Sequence, residues 1–556
     1  MNPAAARSLV LLVLTTGVLA PLGLVAYQSL LDAPFFSPVT HVSLDAYAYI
    51  LGDEDFARAL TTSLLLATGM VVIAVPLGGL LAFLVVRTDL PWRRLIEPWL
   101  LVPVFLSPVV IAFGYVVTVG PVGFVSTLLK PLFGGVPWNL YGLPALILIA
   151  GLSHVPHVHL YAASALRNLD PSLEEAARTC GAGPWRIALT ISLPLIRPAL
   201  LFVGALVFLL GFEIFGLALV LGDPAGVLVL TTYLYKLTNL LGFPSYHLMA
   251  VVAIVIVVLT LPLAALQRHM LRFSQRYAVV RGKGLAARPL RLGPWRWPAL
   301  ALILAWLAFT VALPLAGVAL RSVVSQWGEG VVLSEVLTLD NFVALAAYPN
   351  LIRGIVNTLL IGTLGGGLAV LAYASVGLAT HRWQSRWTAL VDYLAMVPRA
   401  LPGLVVGLAF LWLFLFVKPI SPLRGTLFSV WLAYTVVWLP YGLRLISTAL
   451  IQVGAELEDA ARIAGAGRGR SLRDVTLPLL RHGLLGSWLL IFMMFVREYS
   501  TGVYLLGPGT EVIGSLIVSL WGSGALDLIA ALSVVEVVIL GVALAAALRL
   551  GVRTDE

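Results

Sequence analysis

LEEAARTCGAGPWRIALTISLP, Leu173 to Pro194, is a polar, helix-like interruption in an oily chain. A near copy, LEDAARIAGAGRGRSLRDVTLP, spans Leu457 to Pro478, 284 positions later. What surrounds the two copies fixes the fold class. Of 556 residues, 60% are hydrophobic and 11% charged, with a mean hydropathy of +1.00. A soluble domain has about 45–50% apolar and about 25% charged residues. The chain is therefore predicted to cross a membrane many times. Its apolar runs reach the roughly 20 residues that a bilayer core requires. They are continuous and lack the apolar/polar alternation of barrel strands. Helices are the remaining way to satisfy backbone groups in lipid.

About twelve spans are expected, in two sets of six. The first set lies near 8–31, 61–86, 95–119, 140–164, 199–222 and 247–267; the second near 298–320, 353–380, 388–417, 424–448, 483–506 and 525–549. The apolar run at the N-terminus is longer than a signal-peptide core and reads as a first span. With the N-terminus placed inside, the inner segments hold about 25 of the 35 Lys and Arg residues, as the positive-inside rule demands. Both termini then lie on the cytoplasmic side, and so do both copies of the opening motif. The densest basic run, 268–297, carries Arg268, Arg272, Arg276, Arg281, Lys283, Arg288, Arg291 and Arg296. It reads as a topology anchor linking two halves, 1–267 and 298–556. The net charge of +9 is explained by this distribution, and no nucleic-acid partner is expected.

The repeat extends beyond the motif. VSLDAYAYIL from Val42 matches LTLDNFVALA from Leu337, with Asp45 over Asp340 at a shift of 295. TTSLL at Thr61 matches VNTLL at Val356, and Pro103 matches Pro398, by the same shift. From Pro156 and Pro440 onward the shift is 284; near the fifth span Glu213 falls on Glu498 and Gly222 on Gly507. Both copies have the same in/out sense. The expected fold is thus an all-α polytopic membrane protein of two parallel six-helix repeats.

Within the loop, Leu166, Leu169, Leu173, Ala176 or Ala177, and Cys180 recur at three- and four-residue steps, which predicts one helical stripe with Cys180 packed on it. Leu450, Val453, Leu457, Ala460 or Ala461, and Ala464 repeat it. Asp170 before Pro171 suits an N-cap and first helical residue. Glu174 and Glu175, and Glu458 and Asp459, fall early in the helix, where the dipole favours negative charge. Gly181 and Gly465 fall where a left-handed residue ends a helix. Pro194 and Pro478 close a second short helix. A helix resting on lipid would not require the same Gly and Pro spacing twice. A pair of docking helices for a two-fold symmetric partner would.

The pattern Glu-Ala-Ala, three residues, Gly, nine residues, Ile, one residue, Leu-Pro resembles the membrane subunits of binding-protein-dependent ATP-binding-cassette importers. Glu175-Ala176-Ala177, Gly181, Ile191 and Leu193-Pro194 fit it fully. Asp459-Ala460-Ala461, Gly465, Val475 and Leu477-Pro478 depart from it conservatively. The resemblance implies that each loop is a coupling helix seated in a cleft of one of two ATPase subunits. It also implies an external binding protein and a bacterial inner-membrane location. ATP and Mg would be used by the partner; this chain has no G-x-x-x-x-G-K-[ST] loop of its own. Pro184-Trp185 against Arg468-Gly469 predicts unequal docking contacts. GFEIFGLALVLGDPAG with TTYLY, and VREYSTGVYLLGPG, resemble the fused permeases for ferric iron; relatives of the same look serve thiamine, phosphonates or polyamines.

Charges within spans are costly and face a cavity or a partner. Glu213, Arg497 and Glu498 stand out. The two glutamates are duplicates, each about 22 Å along its span at 1.5 Å per residue. They are expected to line a pathway or to be neutralised by hydrogen bonds and by Arg497. His154, His157 and His159 suggest a metal, but Trp438, Tyr441 and Leu443 at the matching positions favour a plain polar or interfacial role instead. One cysteine excludes an intrachain disulfide. A secondary transporter would also suit twelve spans, but would leave the duplicated loop unexplained. A membrane enzyme would need a nucleophile–base pair or a metal-ligand spacing, and the sequence shows neither.

Overall fold

The computed structural model describes residues 3–238, 244–276, 289–381 and 388–549. Among them, nine helices are long and apolar enough to cross a membrane: Ser8–Ser29, Glu54–Arg87, Pro108–Phe133, Leu143–Arg167, Tyr246–Gln267, Gly293–Ser322, Pro349–His381, Gly469–Arg497 and Leu526–Arg549. Three bent helix pairs supply spans five, nine and ten. They are Pro184–Leu195 with Arg197–Gly211 (70°), Leu390–Arg399 with Gly403–Phe416 (111°), and Leu427–Val437 with Leu439–Gln452 (61°). All twelve expected spans are present in order. The described residues contain no strand, only three isolated bridges.

The structure corrects four span limits. The third span begins at Pro108, not near 95, because short helices Arg93–Ile96, Glu97–Leu101 and Val102–Phe105 precede it. The fifth helix stops at Gly211 and the eleventh at Arg497, short of the expected 222 and 506. No proline marks either stop, so apolarity alone runs through them. The sixth helix continues to Arg276, past the expected boundary at 267. The middle of the basic linker, 277–288, lies outside the described residues.

A thirteenth apolar element, Gly216–Ala225 with Leu230–Lys236, bends by 77°. Its counterpart is the short helix Ile513–Ser523. Each is held to the second span of its half by the same bond: Leu230 N donates to Ser63 Oγ, and Ile513 N to Thr358 Oγ1, both at 2.9 Å. Such non-helical backbone at membrane depth is tolerated where protein buries it.

The halves interlock reciprocally. The first span packs on the sixth and on Gly403–Phe416 of the other half. The seventh packs on the twelfth and on Pro108–Val119 of the first half. The latter crossing is tight because glycine permits it: a Cβ on Gly114 would lie 2.5 Å from the Pro314 carbonyl oxygen. Thr118 Oγ1 lies 3.2 Å from the Leu313 oxygen and Tyr115 OH 2.8 Å from the Phe309 oxygen. Small residues and interhelical hydrogen bonds are how helices associate where lipid removes the hydrophobic driving force.

Candidate coupling loops and pathway

The first loop is two short helices joined at a glycine. Helix Ser172–Thr179 follows Asp170, whose Oδ1 accepts the Ser172 amide at 2.9 Å. That bond holds the Asp170 carboxyl below its usual range and keeps it charged at the helix start. Gly181 has φ +79 and ends the helix. Its N–H donates to Arg178 O at 2.9 Å, and Ala182 N–H to Ala177 O at 3.0 Å. The second loop repeats this after helix Ala455–Ile463: Gly465 has φ +89, with bonds to Arg462 O and from Ala466 to Ala461 O, both 3.0 Å. Both are Schellman caps, which need a left-handed residue at the glycine. A π-turn then follows in each copy, Ala188–Ser192 and Leu472–Thr476.

The stripe is not a single helix. The chain leaves helical geometry after Arg167 and re-enters at Ser172. Leu166 is buried, but Leu173, Ala176 and Cys180 are exposed, so Cys180 is not packed as expected. Ala177, Ile191 and Leu193 are half-buried, while Glu175, Gly181 and Pro194 are exposed. In the second copy Asp459, Ala460, Gly465, Leu477 and Pro478 are exposed, and Glu458, Ala461 and Val475 are half-buried. Leu457 is 50% and Ile463 89% exposed. Each loop thus presents a small apolar face outward. Of the predicted loop site residues, Glu174 is the one that turns fully inward, at 5% exposure. It accepts from Ser192 Oγ at 2.8 Å, and Glu458 accepts from Thr476 Oγ1 at 2.9 Å.

The charged residues lie not within continuous spans but at their breaks. Glu213 sits in the turn after Gly211, and Glu498 caps the helix that ends at Arg497. The two breaks meet: the rings of Phe215 and Tyr499 are 5.9 Å apart. Glu213 is close enough to Arg399 and Glu498 to interact with both charges. Glu498 Oε1 accepts from Ser500 Oγ at 2.7 Å and from the Thr501 amide and hydroxyl at 3.1 Å. Arg497 donates to the Val104 carbonyl and stands over the Trp438 ring at 5.9 Å.

Three residues here carried signals that duplicate matching does not weigh. Arg399 and Val104 are repeat equivalents, next to the matched prolines Pro398 and Pro103. Glu536, alone in the run LSVVEVVIL, is 1% exposed and lies within reach of Ser107 and of the Arg497 charge. Arg87, 4% exposed, pairs with Glu174. His154 and His157 are half-buried with their rings stacked at 5.3 Å, and His159 is 2% exposed. No three His, Cys, Asp or Glu among the described residues could hold a metal ion.

Two segments, 74–274 and 373–553, match the model of the binding-protein-dependent transport system inner membrane component. The chain belongs to that family. It is a permease subunit of an ABC importer and a multi-pass inner-membrane protein. It is 24% identical over 481 residues to the ferric transport system permease protein FbpB of Actinobacillus pleuropneumoniae, covering 84% of this chain and 68% of the relative. It is 33% identical over 170 residues to the molybdenum transport system permease protein ModB of Escherichia coli K12, covering 30% and 72%. Among solved structures, a bacterial alginate ABC transporter in complex with alginate pentasaccharide-bound periplasmic protein matches 43% of this chain and 85% of its own, with 22% identity and a TM-score of 0.37.

Proposed function

We propose that this chain is the transmembrane pathway of an ATP-driven ferric-iron importer. An external binding protein delivers the iron. Two copies of an ATPase subunit, which alone bind ATP and Mg, seat the two loops. The carrying observation is that two loops 284 positions apart share the same glycine cap, π-turn and outward apolar face. A two-fold partner accounts for that repetition. Both loops and both termini are on the cytoplasmic side in this reading.

Iron is favoured because the ferric relative aligns along 84% of this chain, whereas the molybdenum relative aligns along 30%. Glu213 and Glu498, where the fifth and eleventh helices stop, place two carboxyl groups beside the junction of the halves. In the cycle, movement of the loops opens and closes that junction on alternate sides.

The test is ATP-driven uptake of radiolabelled ferric iron into liposomes holding the chain, its copurifying ATPase and its binding protein. Uptake that needs all three is the expected result. ATP hydrolysis stimulated by the loaded binding protein without iron uptake would keep the importer and discard iron. The ligand on the binding protein, such as thiamine, a phosphonate, a polyamine or molybdate, would then be identified by mass spectrometry. Uptake without the ATPase would point to a secondary transporter.

A further inference from the structure

Arg87 ends the second span, and its side chain is almost wholly buried. Its Nε lies 3.3 Å from Glu174 Oε1, in ion-pair contact without hydrogen-bond geometry. Its Nη2 donates to the Leu169 carbonyl at 3.1 Å. Glu174 completes its shell with Ser192 Oγ, which the π-turn aims inward. One guanidinium thus holds the start of the coupling helix, and its carboxylate partner holds the end of the second short helix. An eight-residue helix does not hold its own shape in water, so this anchor decides its position. A buried ion pair is weak evidence for stability, but removing one partner is strongly unfavourable. Such a pair fixes one geometry.

The backbone of the same arginine holds something else. Leu290 N donates to Arg87 O at 2.8 Å, Asp89 N to Leu290 O at 3.1 Å, and Leu292 N to Asp89 Oδ1 at 2.8 Å. Leu290 and Leu292 are buried. Trp295 then meets Trp185 of the first loop edge-on, with ring centroids 6.2 Å apart. This segment leads into the seventh span, Gly293–Ser322. The second loop has Gly469 at the place of Trp185, so it offers no ring for such a contact.

We propose that Arg87 is a positioning joint of the importer: its buried pair with Glu174, backed by the linker strap Leu290–Trp295, makes the first coupling loop and the second span move as one body. The proposal rests on the coupling reading and deepens it. Glu175 faces outward toward a partner; Glu174 faces inward and transmits. The strap carries the same displacement to the second half through the seventh span, and the two loops are mechanically unequal.

Cys180 supplies the probe. It is the only cysteine, is exposed, and sits at the end of the coupling helix. A spin label there in the full-length permease reports the freedom of the loop. Arg87→Met and Glu174→Gln should each raise its mobility. The double variant should be no more mobile than either single one, and Trp295→Ala should act in the same direction more weakly. In the reconstituted importer, transport per ATP hydrolysed should fall at least about fivefold for each charge variant, the lower end of a typical coupling between sites. Unchanged mobility, or effects that add independently, would overturn the joint and return Glu174 to a partner contact. If the charge variants do not fold, Ser192→Ala removes only the 2.8 Å bond. A label on Cys180 that stays as restricted as in the parent would then count against the proposal. The spin-label measurement needs no ATPase, so it judges the joint even if the importer reading fails.

Discussion

Arg497, the last residue of the eleventh helix, donates a hydrogen bond to the backbone carbonyl of Val104 in the other half. Val104 is the repeat equivalent of Arg399, and Arg399 is close enough to Glu213 of the first half for the two charges to interact. The relationship is therefore reciprocal in the repeat: each fifth-span break pairs with the third-span break of the other half, once through a hydrogen bond and once through charge. Arg497→Met should leave the Val104 carbonyl without its donor and Glu536 without a nearby cation. Hydrogen bonds to charged groups contribute about 1.5–3 kcal/mol. A loss of that size in thermal unfolding, with loss of uptake, is expected. Arg497→Lys should restore the charge but not the guanidinium fork, and so should recover less than full uptake.

The two glutamates are duplicates in sequence but differ in their bonding. Glu498 accepts three local bonds from Ser500 and Thr501. Glu498→Gln should therefore lower both stability and uptake. Glu213→Gln should lower uptake with little change in stability. Uptake assays beside thermal unfolding separate the effects, and full transport by the double variant would remove both residues from the pathway.

Much of this fold was legible because duplication checks itself. Asp45 over Asp340 marked the repeat, and the structure has the matching helices Asp45–Gly52 and Asp340–Ala347. The stops after Gly211 and Arg497 were not legible, because their surroundings are as apolar as the spans and no proline announces them. The inward turn of Glu174 was hidden for a different reason. A carboxylate in a first helical turn is satisfied by the dipole, and only the fold brings Arg87 to it from 87 positions upstream. Glu536 was readable as a charge inside a span, but Ile256 stands near its equivalent place in the first half, so a comparison of halves passes over it.

The crossing of the third and seventh spans should be intolerant of bulk. A Cβ on Gly114 would meet backbone, the Pro314 oxygen and carbon at 2.5 and 2.8 Å, and backbone cannot rotate away. Gly114→Leu should cost about 1–3 kcal/mol, as overpacking does, or separate the halves. Thermal unfolding of the purified permease measures this. Gly541→Leu, in the twelfth span with nothing within 4 Å, is the control that should be nearly neutral.

Arg353, near the start of the eighth span, grips Glu511 through two hydrogen bonds of 2.9 and 2.8 Å, tying that span to the loop before Ile513–Ser523. These bonds depress the Glu511 carboxyl to about 2. The contribution is therefore fully present above its unfolded value of about 4.3 and is lost as pH falls through about 2. Arg353 is 44% exposed, so the pair is screened and contributes about 0.2–1 kcal/mol. Glu511→Gln should melt earlier than the parent at pH 7, and the gap should close progressively as pH falls from about 4 toward 2. A gap independent of pH would mean that the ion pair contributes nothing.

The glycine caps give the sharpest test of the loops. At Gly181 and Gly465 a Cβ would have no neighbouring atom within 4 Å, so sterics with neighbours are not at issue. The cost of a side chain is in the backbone, at φ +79 and +89. A β-branched residue there should be unfavourable by about 1–3 kcal/mol, enough to unwind a short helix rather than the protein. Gly181→Val with Gly465→Val should leave the permease folded but abolish copurification with the ATPase and ATP-driven uptake. Asn, which tolerates the left-handed region, should recover part of both. If assembly and uptake survive the double Val change, the loops do not couple the ATPase to transport.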